Sequence, residues 1–246
     1  MKGFRIGVVL LVAVAIAFSV LAPAALAKHG NPRVIPPNAT PGGMTYGDWG
    51  AAWWQWALRN PIDNNALNDD TGAKAGVDQL GKVWFLAGTI NQTPSETDPS
   101  VYIGVADRTC TVPVGKMIFF PIVNTECSTA EGNGTTEAEL AAMCDFYVQH
   151  AAGLKVTVDG RALRNLTAYR GTSSMYPLWW PSDPVLTMPA ITEPTASVSD
   201  GFWIMLAPLS AGEHVLHWEG NMTFTQAADG FDGVFAQDIT YHLTVR

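Results

Sequence analysis

The chain has 246 residues, 48% hydrophobic and 15% charged, with 22 Asp and Glu against 14 Lys and Arg. That composition excludes an intrinsically disordered chain, and a formal net charge of -8 excludes a protein that grips nucleic acid by neutralising its phosphates. Nine Trp exceed what a core of this size needs, and their placement directs the search for function.

Residues 1–27 read as a secretory signal peptide. Lys2 and Arg5 give a basic start, Val8 to Leu21 an apolar stretch, and Ala25-Leu26-Ala27 a small-x-small cleavage site. The apolar stretch is short for a membrane span of ~20 residues, and Pro23 breaks it just ahead of the cleavage site. With the signal removed, no integral membrane segment remains, and a secreted or periplasmic location is expected. Residues 28–43, rich in Pro, Gly and Asn, are expected to form a flexible leader. Residues 44–246 are expected to form a single β-rich domain with a long loop at 181–200.

Thr45 opens the first predicted helix, because its hydroxyl and the Asp48 carboxylate are spaced as a capping box, and Asn60-Pro61 closes it. Trp49, Trp53 and Trp56 then share one stripe, with Trp54 and Leu58 on a neighbouring one. Val83 to Ala87 is an apolar run that suits a strand buried on both faces. Strands are next expected at 101–105, 110–112 and 117–123. A second capping box, Thr136 with Glu139, starts a helix whose stripe runs through Leu140, Met143, Cys144, Tyr147, Val148 and Ala151, with Gly153 as its stop.

From Leu154 the period falls to two. Asp159-Gly160 signals a tight hairpin, and strands are expected at 161–166, 202–206, 214–218 and 239–245. The whole pattern predicts a mainly β fold, an antiparallel β-sandwich or jelly-roll-like core with two α-helices in the N-terminal half.

Export permits disulfides, and the three Cys are 110, 127 and 144. Cys127 and Cys144 bracket a turn and a helix, so a bridge between them would close a loop worth about 3 kcal/mol. Cys110 then stands alone in a β-like alternation. No Cys-x-x-Cys, His-Glu-x-x-His, phosphate-binding loop, dinucleotide fingerprint or Gly-x-Ser-x-Gly is present, so no metal and no cofactor is expected.

For acid-base chemistry the candidates are Glu126, at the end of the apolar strand 117–123, and the cross-strand pair His217 and His242. A solvent-facing strand surface is the plainer account of the two His. Ser173 or Ser174 with His214 and Asp200 makes a nominal nucleophile set with no local motif behind it. The aromatics make the stronger case. Trp179, Trp180, Tyr176 and Trp54 offer flat apolar faces with a polar handle, which stack on sugar rings or clasp an apolar molecule. Three functions are therefore carried forward: binding of a glycan or an apolar small ligand, action on a polymer by a secreted hydrolase or lyase, and a structural role in the cell envelope.

Four segments together resemble a group of exported bacterial proteins of uncharacterised function. They are Tyr46-Gly47-x-Trp49 with Trp53-Trp54-Gln55-Trp56, then Val83-Trp84-Phe85-Leu86-Ala87-Gly88, then Cys110-x-Val112-Pro113-x-Gly115-Lys116-x-x-Phe119-Phe120-Pro121-Ile122, and the closing Thr240-Tyr241-His242-Leu243-Thr244-Val245. The resemblance implies no reaction, cofactor or catalytic residue. It does imply a fourth Cys near the position of Lys74, which would leave Cys110 without its partner and Cys127–Cys144 as the remaining bridge.

Overall fold

The computed structural model describes residues 31, 33–96, 98, 101–186 and 194–246, so the expected signal peptide lies outside the described residues. In chain order the strands are β1 (Val83–Phe85), β2 (Gln92–Pro94), β3 (Val101–Val112), β4 (Met117–Ser128), β5 (Ala151–Val158), β6 (Arg161–Ala162), β7 (Tyr176–Leu178), β8 (Thr195–Leu206), β9 (Gly212–Phe224) and β10 (Gly233–Val245). Helix α1 (Tyr46–Leu58) precedes them, α2 (Glu137–Val148) follows β4, and the short α3 (Gln226–Asp229) follows β9. Among the described residues no helix is long and apolar enough to cross a membrane.

Local sequence explains both long helices. In α1 the Thr45 hydroxyl accepts from the Asp48 N–H at 3.1 Å, and the Asp48 carboxylate accepts from the Thr45 N–H at 2.8 Å. Thr136 and Glu139 repeat that reciprocal cap on α2. Helix α2 ends at Val148, earlier than its apolar stripe suggested, and Ala151 already belongs to β5. Gly153 has φ +64 and lies where the β5–β9 register shifts, so it serves a bulge in a strand and caps no helix.

The strands form two sheets, ordered β1-β4-β8-β7 and β2-β3-β10-β9-β5-β6. Alternation along β4 builds a layer on each side. Phe119 faces α1 and stacks on Trp203 at 5.2 Å, and Trp203 meets Trp53 of α1 at 5.8 Å. Phe120 faces the second sheet and stacks on Trp218 at 4.6 Å, with Tyr241 stacked behind it at 5.6 Å. Helix α1, the four-stranded sheet and the six-stranded sheet are thus three successive layers. Each buried ring contributes about 1.5–3 kcal/mol by leaving water. A Cβ on Gly50 would lie 2.8 Å from the Trp203 ring, so only glycine lets the helix come this close.

Antiparallel pairing alone does not describe the sheets. β1 runs parallel to β4, and β3 runs parallel to β10 from Val101↔Val234 to Val112↔Val245. Strand alternation specifies which face is buried and leaves the neighbour's direction open, so both sheets are mixed where antiparallel ones were expected. Part of the expected leader is docked: Val34 bridges Leu206, and the Ile35 N–H donates to the Met205 carbonyl at 2.8 Å. Similarly, β8 begins at Thr195, inside the stretch expected to be loop, while 187–193 lie outside the described residues.

Helix α2 covers the far ends of β4 and β8 through a small apolar cluster of Leu140, Cys144, Cys127 and Val198. The sulfurs of Cys127 and Cys144 lie 2.7 Å apart, beyond the ~2.05 Å of a bond, and all three Cys are free. The expected disulfide is therefore not formed. The two residues meet as buried thiols, and the Cys144 sulfur also reaches the Val198 carbonyl at 3.3 Å.

Candidate functional site

A cavity of about 390 Å³ opens where β4 changes register, and α1, β4 and the six-stranded sheet all contribute to its lining. Pro121 pairs with Trp203 and Val123 with Phe202, which leaves Ile122 as the extra residue of a bulge. Pro121 has no N–H to give the ladder, so the irregularity falls where the sequence cannot complete it. Pro121, Ile122, Val123 and Asn124 form one wall. Trp53 and Trp54 of α1 form the second, and Trp218, Met222, Phe235 and Gln237 of β9 and β10 the third. Leu67, Leu186, Gln92 and the Gly88-Thr89-Ile90 segment complete the lining, and none of its residues is charged.

The Gly88 segment is held by a buried cation and an amide. Arg108, 1% exposed, donates to the carbonyls of Asp69 (2.6 Å), Ala87 (2.5 Å) and Gly88 (3.0 Å) and to the Tyr241 hydroxyl at 2.7 Å. Its nearest carboxylate, Asp70, is 3.8 Å away. Carbonyl oxygens therefore carry most of its compensation. Gln237 accepts from the Thr89 N–H at 2.9 Å and donates to the Thr89 carbonyl at 2.8 Å. Glycines at 88 and 104 leave it room, since a Cβ on either would approach its amide to within 2.8 Å.

Of the four aromatic residues expected to bind ligand, only Trp54 lines this cavity. Trp180 is 6% exposed and donates to the Thr195 hydroxyl at 3.1 Å, whereas Trp179 is 53% exposed. Tyr176 is buried at the edge strand β7 and borders a separate, smaller hollow near Pro194. The two adjacent indoles thus point to opposite environments and form no common platform.

Glu126 is brought to neither histidine. It lies buried on the α1 side of β4, opposite Ser199, and accepts from the Ser197 hydroxyl. Burial, then the Glu131 charge, pushes its carboxyl up to about 8 against the pull of the Ser197 hydrogen bond. Burial and then the Glu126 charge push the Tyr176 phenol up as well. His217 and His242 sit on the outer face of the other sheet, paired with Asp238 at 2.8 Å and Asp107 at 2.9 Å. Glu126 belongs to the four-stranded sheet and both histidines to the six-stranded one. Among the described residues no group of three or more His, Cys, Asp or Glu is placed to hold a metal ion.

The nominal nucleophile set is not assembled either. Ser173 accepts from the Ser199 N–H at 2.9 Å, and Asp200 is engaged by Arg170. His214 instead meets Asp159 through Nδ1 at 2.9 Å, and its Nε2 faces the Ser210 carbonyl at 2.9 Å and the Ser210 hydroxyl at 3.4 Å. Both ring nitrogens are thus engaged by Asp159 and Ser210, and neither is presented to Ser173 or Ser174. The trio ties the Asp159-Gly160 turn to the turn before β9.

Sequence reasoning missed Asn124, Met222, Phe235, Trp218 and Gln237 as cavity residues. Asn124 carried one signal, as the polar residue closing an apolar run. The others come from strands whose adjacency no local pattern encodes. Comparison with known proteins finds no matching family model, no matching curated protein and no matching solved structure.

Proposed function

We propose that this chain is an exported binding protein that takes an apolar small molecule into the cavity beside the β4 bulge. One observation carries the reading. The cavity of about 390 Å³ is walled by indole, aliphatic, thioether and phenyl groups without a charged residue, and it falls in the size range of small-ligand sites, about 300–1,000 Å³. A glycan surface draws less support, because Trp179 stands exposed without Trp180 beside it. A polymer hydrolase draws less still, because Glu126 has no histidine in reach. Export rests on the pattern of residues 1–27.

Nile red titration tests the binding reading. The dye should gain fluorescence with saturable binding, and Met222→Trp, which fills the cavity from its half-buried β9 wall, should abolish that gain while Tm stays within a few degrees. Trp179→Ala should leave the titration unchanged. Absence of saturable binding, or full binding by the Met222→Trp protein, would overturn the assignment.

A further inference from the structure

The outer face of the six-stranded sheet changes character along its length. Over one part it carries Asp107, Thr109 and Thr111 of β3 beside Asp238, Thr240 and His242 of β10, as a solvent-facing sheet surface should. Towards the start of both strands the polar residues stop. Val101 and Ile103 stand opposite Val234 and Ala236 on that face, and the exposed Val105 ends the row. The inner face of the same strand ends is uncovered too. Tyr102 stands opposite Phe235 and both are exposed, whereas Ala106, Cys110, Ile239 and Tyr241 on that face are buried. Phe231, also exposed, stacks on the buried Phe224 at 5.0 Å, and a Cβ on Gly233 would lie 3.6 Å from the rings of both Phe231 and Phe235. Four of the nine exposed large apolar side chains among the described residues thus gather at one end of one sheet, which marks an interaction surface. Phe235 lines the cavity as well, as do Gln92 and Met222 from the neighbouring strands, so this end adjoins the cavity.

We propose that this end of the six-stranded sheet dips into the surface of a zwitterionic lipid bilayer. A protein partner or a second copy covers one face of a sheet, whereas the boundary between headgroups and hydrocarbon covers both faces of a tip immersed in it. Aromatic rings suit that boundary. Residues 83–107 and 219–245 contain no Lys or Arg, and the chain carries a formal net charge of -8, so attraction to anionic headgroups has no source here. The docking surface goes beyond the cavity reading and does not depend on it. Where both hold, an apolar molecule passes from the bilayer along Phe235 into the cavity without crossing water.

The chain from Lys28 onward keeps every described residue, and its flotation with phosphatidylcholine vesicles tests the proposal. It should float with them, and no better with phosphatidylglycerol vesicles. Phe231→Ser on the inner face should lower the partition coefficient about fivefold, because the ring is 38% exposed and only that part is left to bury. Val105→Asp on the outer face should lower it further, since a carboxylate must then leave water. Neither residue lines the cavity, so both variants should keep the wild-type Nile red titration in vesicle-free solution. Hydrogen exchange gives a readout free of any variant's folding: vesicles should slow exchange at 231–236 and leave 242–245 unchanged. Protein left behind by the vesicles, or flotation unchanged in both variants, would overturn the proposal. A loss confined to one variant would overturn insertion of both faces, and a salt-sensitive preference for phosphatidylglycerol would overturn the choice of lipid. Self-association in sedimentation that Val105→Asp abolishes would assign the patch to a second copy instead. Flotation without saturable Nile red binding would overturn the cavity reading alone and leave the docking surface standing.

Discussion

Replacing Glu126 by Gln should remove a pH dependence of stability that the buried carboxyl imposes on the native protein. The side chain is 8% exposed, and burial followed by the Glu131 charge raises its pKa from 4.5 to about 8. The native chain therefore holds a proton at pH values where the unfolded chain has released it. In that window the unfolded state binds fewer protons, so unfolding becomes easier as pH rises, by about 1.4 kcal/mol per unit. Between about pH 5 and about pH 7 the wild type should lose roughly 3 kcal/mol from this group alone. At about 2–4 °C per kcal/mol for a chain of this size, that is a fall of about 6–12 °C in Tm. Gln is neutral throughout and can still bond Ser197, so Glu126→Gln lacks this slope. Melting both proteins by circular dichroism at intervals from pH 5 to above pH 8 should show their Tm values diverging through the window and running parallel above it. Parallel curves across the whole range would refute the claim that Glu126 is buried and protonated.

Three further outcomes are expected from the packing. Trp180→Ala should cost about 3–5 kcal/mol in urea unfolding, whereas Trp179→Ala should stay within about 0.5 kcal/mol; equal losses would contradict the alternation that buries one and exposes the other. Arg108→Leu leaves the Asp69 and Gly88 carbonyls unpaired, while the Ala87 carbonyl keeps the Tyr241 hydroxyl, and at about 1–3 kcal/mol for each unpaired group the loss should be about 2–6 kcal/mol in the same assay. Arg108→Lys should rescue little, because one ammonium cannot span the same acceptors. Mild diamide oxidation should link Cys127 to Cys144, whose sulfurs already touch at 2.7 Å, with little change in far-ultraviolet circular dichroism. Peptide mapping that finds Cys110 in the link would contradict this packing.

The legible parts of this molecule are those whose cause is local. Thr45 with Asp48 and Thr136 with Glu139 announce helix starts because the capping groups lie three residues apart. The last strand is equally plain, with Ile239, Tyr241, Leu243 and Val245 buried and His242 exposed between them. Trp179 and Trp180 are separable in principle. Tyr176, Leu178 and Trp180 are buried while Pro177 and Trp179 are exposed, so a period of two runs past the end of β7. The flanking prolines conceal it by suggesting a loop. The parallel pairs have no local trace, and of the cavity only Asn124 has one, because Asn124, Trp218 and Gln237 meet only once β4, β9 and β10 are assembled.

Strand β10 is the last in chain order, yet it lies inside its sheet, between β3 and β9. Its parallel partner β3 is separated from it by most of the domain, so β3 is made long before the edge it pairs with exists. Ribosomal synthesis proceeds from the other end, and closing so long a loop comes at an entropic cost before any contact is gained. The six-stranded sheet therefore cannot close until β10 has been made.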